Sequence, residues 1–302
     1  MRTSYASVVL CLISYIVLPR VAAAQSKPES PAASDTGFTS YIEFDGTTNS
    51  AGQEYVLSPN IGYNFTRHFG MDVTLPIYFA TAAATTTSSS SSGSGLGNPA
   101  LNLRWKFPGE RLNYATVLTG AAPLGDKNLG VNTGHATFDW TNHVDHEFNQ
   151  VKPFLEAGFS NTTWDTRQFV RPYTSYGFNA HFRGGAEVDV WKFITAGAAG
   201  YDIAPIGNQT LIPIGGHFGP NNHPGIGTHP GHGNSGGTST NSTAVTGSSS
   251  LAEDYGYSAW VDASLTQYVD AEIGYTRSAS FDLNSISFSL GFNLGKFVRR
   301  SK

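Results

Sequence analysis

The sequence predicts an all-β fold, a transmembrane antiparallel up-and-down β-barrel of about 12 strands. Three observations carry the prediction. Apolar and polar residues alternate with period two in segment after segment from Tyr41 to Leu294, which gives each strand one greasy and one wet face. The segments are aromatic-rich, and their polar face is mostly Ser, Thr, Asn and Gly, whereas a soluble sandwich or jelly roll would show water a charged face. The connections alternate short and long, as barrels with short periplasmic turns and longer outer loops require.

The clearest segment sets Tyr55, Leu57, Pro59, Ile61, Tyr63 and Phe65 against Glu54, Val56, Ser58, Asn60, Gly62 and Asn64. The next sets Phe69, Met71, Val73, Leu75, Ile77 and Phe79 against Gly70, Asp72, Thr74, Pro76 and Tyr78. In full, the strands fall at 38–45, 54–65, 68–79, 97–107, 112–122, 135–143, 151–160, 176–189, 192–203, 255–265, 268–275 and 283–294. With the first strand rising outward, the periplasmic turns are 66–67, 108–111, 144–150, 190–191 and 266–267, and the outer loops include 80–96, 123–134, 161–175 and 204–254. The segments Leu112 to Ala122 and Trp191 to Ile203 are rich in Gly and Ala, so alternation leaves their facing open. In the last segment Ile286, Phe288, Leu290, Phe292 and Leu294 alternate with Ser285, Ser287, Ser289, Gly291 and Asn293. An aromatic closing strand resembles the signal read by barrel-assembly machinery, from which the tail Lys296 to Lys302 departs by extending past the terminal aromatic.

Residues 1–24 read as a signal peptide, with Arg2, an apolar run from Ala6 to Leu18 and an A-x-A site at Ala22-Ala23-Ala24. That run is shorter than the roughly 20 residues of a membrane helix. The lone Cys11 lies inside it, so the exported chain is expected to hold no disulfide, thiolate metal site or cysteine nucleophile. Residues 25–37 form a polar, Pro-containing lead-in, 38–294 the outer-membrane barrel and 295–302 a C-terminal tail. A net charge of -4 with 13% charged residues gives no sign of a nucleic-acid partner.

Three stretches carry a family resemblance. Gly95-Leu96-Gly97-Asn98-Pro99-Ala100-Leu101-Asn102-Leu103-Arg104 is similar to a Gly-Leu-Gly-Asp strand opening, Ala122-Pro123-Leu124-Gly125-Asp126 to a Leu-Pro-Thr-Gly-Asp loop start, and Leu129-Gly130-Val131-Asn132-Thr133-Gly134 to a Gly-Thr-Gly element. Together they resemble the outer-membrane barrel proteins of the phenol-degradation meta-pathway family, chiefly over residues 95–160, with Leu124 where that family has Thr. The resemblance implies an outer-membrane channel or transporter for aromatic or other hydrophobic small molecules, with no catalytic residues to carry over.

Read through the alternation, the lumen carries Asp72, Arg104, Lys106, Lys152, Glu156, His181, Arg183, Glu187, Asp262, Asp270 and Glu272. Two readings stand side by side. The charges form a constriction selecting permeants by field and size, or they pair with one another and fill a narrow barrel; uncompensated buried charge is costly, so pairing is expected in both. The long outer loop holds His217, His223, His229 and His232. Imidazoles can bind Zn²⁺, Cu²⁺ or Ni²⁺, but this loose spacing reads as a surface loop, and no metal site is assigned. His143, His146 and Glu147 fall at a periplasmic turn and lack the H-E-x-x-H order. No serine is singled out as a nucleophile, and the Gly-rich runs lack the Lys and following helix of a phosphate-binding loop. Trp105, Phe107 and Phe65 sit near periplasmic strand ends, where aromatic rings favour the headgroup boundary.

The expected protein is therefore a non-enzymatic outer-membrane channel or transporter for passive passage of small molecules, without cofactor. Its partners are membrane lipid, the assembly machinery and a small-molecule permeant. The alternative is a structural or surface-interaction barrel with a packed lumen, binding through its outer loops.

Overall fold

A computed structural model describes residues 36–83, 91–109, 111–127, 129–162, 173–213 and 244–295. Its strands are β1 (Gly37–Asn49), β2 (Gly52–Asn64), β3 (Phe69–Thr74), β4 (Ile77–Ala82), β5 (Ser91–Leu96), β6 (Ala100–Phe107), β7 (Asn113–Ala121) and β8 (Thr137–Asp145). They continue with β9 (Val151–Thr162), β10 (Tyr173–Trp191), β11 (Ile194–Pro205), β12 (Gln209–Pro213), β13 (Val245–Gly247), β14 (Asp254–Thr266), β15 (Val269–Ser278) and β16 (Leu283–Asn293).

These segments build a closed antiparallel barrel of 12 strands. β1 closes the ring by pairing with both β2 and β16. β3 with β4, and β5 with β6, each form one barrel strand broken at proline. β2 pairs in one unbroken register with β3 and then β4, and the ladder lapses only around Pro59, Leu75 and Pro76, because proline has no N–H to give. Between β5 and β6 the break is a true bulge. Thr74 faces Ala100 and Ile77 faces Leu96, so Gly97, Asn98 and Pro99 lie opposite only Leu75 and Pro76.

The outer surface is apolar. Val73, Leu101, Leu155, Phe182, Val261, Ile273 and Ile286 stand exposed on outward-facing positions. Toward the short turns an aromatic belt runs through Tyr63, Phe65, Phe69 and Trp105, with rings 5.2–5.4 Å apart, and continues in Phe107 stacked on Tyr114. At the opposite ends of the strands lie Phe138, Phe159 and Phe178 and the pair Tyr257 and Tyr275. An apolar band between two aromatic girdles is the surface of a membrane-spanning barrel.

The Gly/Ala-rich segments take a definite facing. β7 turns Asn113 and Thr119 inward, where they bond Asp145 and Asn102, and leaves Leu118 outside. β11 turns Thr195, Ala199 and Ile203 inward and buries them. Residues 204–254, expected to be one outer loop, also contain β12 and β13. The first and last outer connections are tight, with β1 running to Asn49 and β2 starting at Gly52, and β15 ending at Ser278 before Leu283.

Candidate functional site: the charged interior

Every lumen residue expected from the alternation occupies an inward position. They do not form one ring; they divide the interior into two walls of different chemistry.

The first wall, β6 to β10, is a ladder of opposite charges climbing from the periplasmic end. On its lowest rung Lys152 Nζ lies 3.9 Å from Asp145 and 3.5 Å from Glu187, and Asn113 donates to Asp145. Above it His143 stands between Glu156 at 3.1 Å and Asp145 at 3.6 Å, while Arg183 reaches Glu156 at 3.3 Å. Higher still, the fully buried His181 places Nε2 3.1 Å from Asp139. Beside the ladder, Arg104 pairs with Asp72 at 2.6 Å. Asn60 and Asn102 also donate to Asp72, so the buried carboxylate meets several donors. Lys106 lies inward at the periplasmic end of β6, its backbone joined to His68.

In sequence His143 falls at a periplasmic turn. β8 runs on to Asp145, so His143 faces the lumen as part of the second rung. Several further residues face the interior outside the expected set: the acids Asp139, Asp145, Glu43, Asp45, Glu54 and Asp254, and the aromatics Phe154 and Trp260. Arg183 lies over both rings, 5.2 Å from the Phe154 centroid and 4.8 Å from that of Trp260, a cation–π arrangement. The indole fits because it lies flat across β11 at Gly197, where any Cβ would run into the ring.

The second wall, β14, β15, β16, β1 and β2, is acidic. Asp254, Asp262, Asp270, Glu272, Glu43, Asp45 and Glu54 take inward positions. These strands contain no Lys, and Arg277 on β15 faces outward and pairs with Asp282. Tyr41 crosses over Gly291 to donate to Asp270 at 2.8 Å, Ser289 donates to Glu43, and Ser278 donates to the buried Asp254 at 2.6 Å.

Exposure varies within each wall rather than between them. Along the ladder it runs from 0% at His181 to 39% at Lys152, and on the acidic wall Glu43, Asp45, Asp262 and Asp270 are half-buried while Ser285, Ser287 and Ser289 on β16 are at most 2% exposed. Solvent reaches the lower ladder at Lys152 and His143.

The three sequence stretches that carried the family resemblance meet at the outer end. Asp126 N–H donates to Leu96 O at 2.7 Å, Gly125 N–H to Asn98 Oδ1 at 2.9 Å, and Asn132 donates to the carbonyls of Pro123 and Gly125. Residues 123–127 and 129–134 thereby fold inward against the bulged wall, burying Leu129 and Val131 on Ala80 with Tyr78 beside them. The four candidate histidines 217, 223, 229 and 232 lie outside the described residues.

This fold and interior define a transmembrane β-barrel with a polar, charged lumen. No protein-family model and no curated protein sequence matches the chain. Among solved structures it is similar to an outer membrane channel from Pseudomonas putida F1, with 8% identity, a TM-score of 0.56, and coverage of 89% of this chain and 100% of that one. Weaker likenesses are the NanC porin (5% identity, TM-score 0.46, 84% and 98% covered) and the KdgM porin in complex with disordered oligogalacturonate (7%, 0.45, 83% and 98%). At these identities the likeness is one of fold.

Proposed function

We propose that this protein is an outer-membrane channel through which small molecules pass without energy input. The observation that carries the reading is the partly exposed charged ladder of Lys152, Glu187, His143, Glu156 and Arg183 inside a closed barrel. Charges of both signs left in contact with water along the interior suit a polar path that selects by field and width. The fold shared with the Pseudomonas putida channel supports the reading, as does the resemblance to the meta-pathway family. Trp260 and Phe154 beside Arg183 add aromatic faces, so the permeant class we propose is small molecules carrying both a ring and a polar group. Asp72, Arg104, Lys106, His181, Asp262, Asp270 and Glu272 belong to the same proposal as residues shaping the lumen field. Export by the N-terminal leader, assembly by the barrel machinery and a non-enzymatic role complete it.

The nearly inaccessible serines of β16 favour a second reading, in which the lumen is packed and the protein works at its outer surface. Liposome swelling separates the two. The channel reading predicts that proteoliposomes swell in small sugars and in hydroxylated aromatics and do not swell in a solute too large for a barrel of 12 strands. A folded barrel that leaves liposomes impermeable to every solute contradicts it.

A further inference from the structure

We infer that the outer end of the barrel carries a hinged flap, made of the end of β10 with β12 and β13, that must lift for solutes to enter; this rests on the channel reading above. β10 extends well past its partners. Its register with β9 breaks between Tyr176 and Asn179, and Gly177 at the break has φ +153, with a site where a Cβ would collide with Gln209. Only glycine adopts that backbone without strain, and beyond it, among the described residues, the strand holds β9 only through Thr162, which pairs with Tyr176 and donates to Ser175 O. Beyond the break, residues 173–176 pair with β12, and β12 with β13. The result is a small three-stranded sheet attached to the barrel through β10 and the chain around Ile206 to Gln209.

This sheet bends inward rather than standing up. β11 and β14 separate β10 from β15 in the ring, yet the Tyr173 ring packs on Phe281 at 5.3 Å, in the turn between β15 and β16. Tyr173 and Leu211 from the flap share one apolar cluster with Phe281, Leu283 and Ala51 on the barrel tips. The flap therefore crosses the tips of two intervening strands. On its other side Tyr176 stacks on His135 at 4.4 Å, next to the inward-folded residues 129–134. Near the same strand tips Asp254, Ser278 and Ser285 are fully buried. Among the described residues the seat is apolar, a reversible contact that can open by local unfolding of a small unit.

The test locks the seat. In a Cys11→Ala background, Tyr173→Cys and Phe281→Cys are joined by a short bis-methanethiosulfonate that dithiothreitol removes. We expect proteoliposome permeability to fall at least tenfold on cross-linking and to return on reduction, and the single variant Phe281→Ser to raise permeability several-fold over wild type. Equal permeability before and after cross-linking, with Phe281→Ser at the wild-type rate, overturns the flap while leaving the channel intact. If wild type, reduced double variant and Phe281→Ser all fail to pass solute, there is no passage to gate, and the channel reading falls with the flap.

Discussion

Arg104 and Asp72 show how a single pair holds the lumen together. The carboxylate is almost wholly buried and the guanidinium lies 2.6 Å away, so removing the cation leaves a charge that water cannot reach. Arg104→Ala is expected to destabilise the barrel by about 3 kcal/mol, read from guanidinium unfolding in lipid vesicles, with Asn60 and Asn102 limiting the loss. Gly197 acts through shape instead. Gly197→Val puts a branched side chain where Trp260 lies and should cost about 1–3 kcal/mol by overpacking, with a shift in tryptophan fluorescence as the indole is displaced toward water. Unaltered stability and emission would show that Trp260 does not occupy that place. The expected lumen charges were legible because a strand's polar face is read directly from period two, although alternation did not single out Asp139, Asp145, Glu43, Asp45, Glu54 and Asp254 on the same faces. Trp260 and Phe154 were not, because an aromatic in a barrel strand defaults to the lipid side, and only the glycine on the neighbouring strand, invisible as a neighbour in sequence, makes room for one inside.

At the scale of the element, most strand positions were legible, but β5 (Ser91–Leu96) falls inside what the sequence offers as the outer loop 80–96, because its Ser/Gly run carries no alternation. One apolar face against lipid fixes the register, since a slip of one residue would turn every side chain to the wrong solvent. Ile273, near the middle of β15 and exposed on the outer face, tests that facing. Ile273→Arg should lose about 2–4 kcal/mol in bilayers, while a cost near zero would place the residue away from the hydrocarbon. The flap was not legible, because β12 and β13 are only 5 and 3 residues long and show too few alternations to define a period. The three Gly-rich stretches were visible as motifs, but their meeting depends on the one-residue bulge at Gly97 to Pro99, which alternation cannot locate. Asn132 closes that unit by donating to two carbonyls and accepting from Gly134 N–H. Asn132→Ala should release the segment, seen as faster proteolysis between Leu124 and Gly134 with the barrel core still resistant. Equal cleavage rates would mean that Asn132 does not hold it.

For the whole molecule, the two walls make the interior electrostatically lopsided. Cations on β6, β9 and β10 are matched by nearby carboxylates, whereas β14 to β16, β1 and β2 add acids without an inward Lys or Arg. Among the described residues inward carboxylates outnumber inward Lys and Arg, and a negative excess concentrates cations in a pore. Net chain charge says little about this, because the asymmetry arises only when alternate residues of five separated segments are brought to one surface. Single-channel recording of the refolded barrel in a planar bilayer under a salt gradient decides whether the lumen conducts. We expect discrete openings, a reversal potential on the cation-selective side, and a marked change in conductance for Glu187→Lys on the partly exposed ladder. A correctly folded, inserted barrel that shows no openings under any voltage would contradict the channel reading.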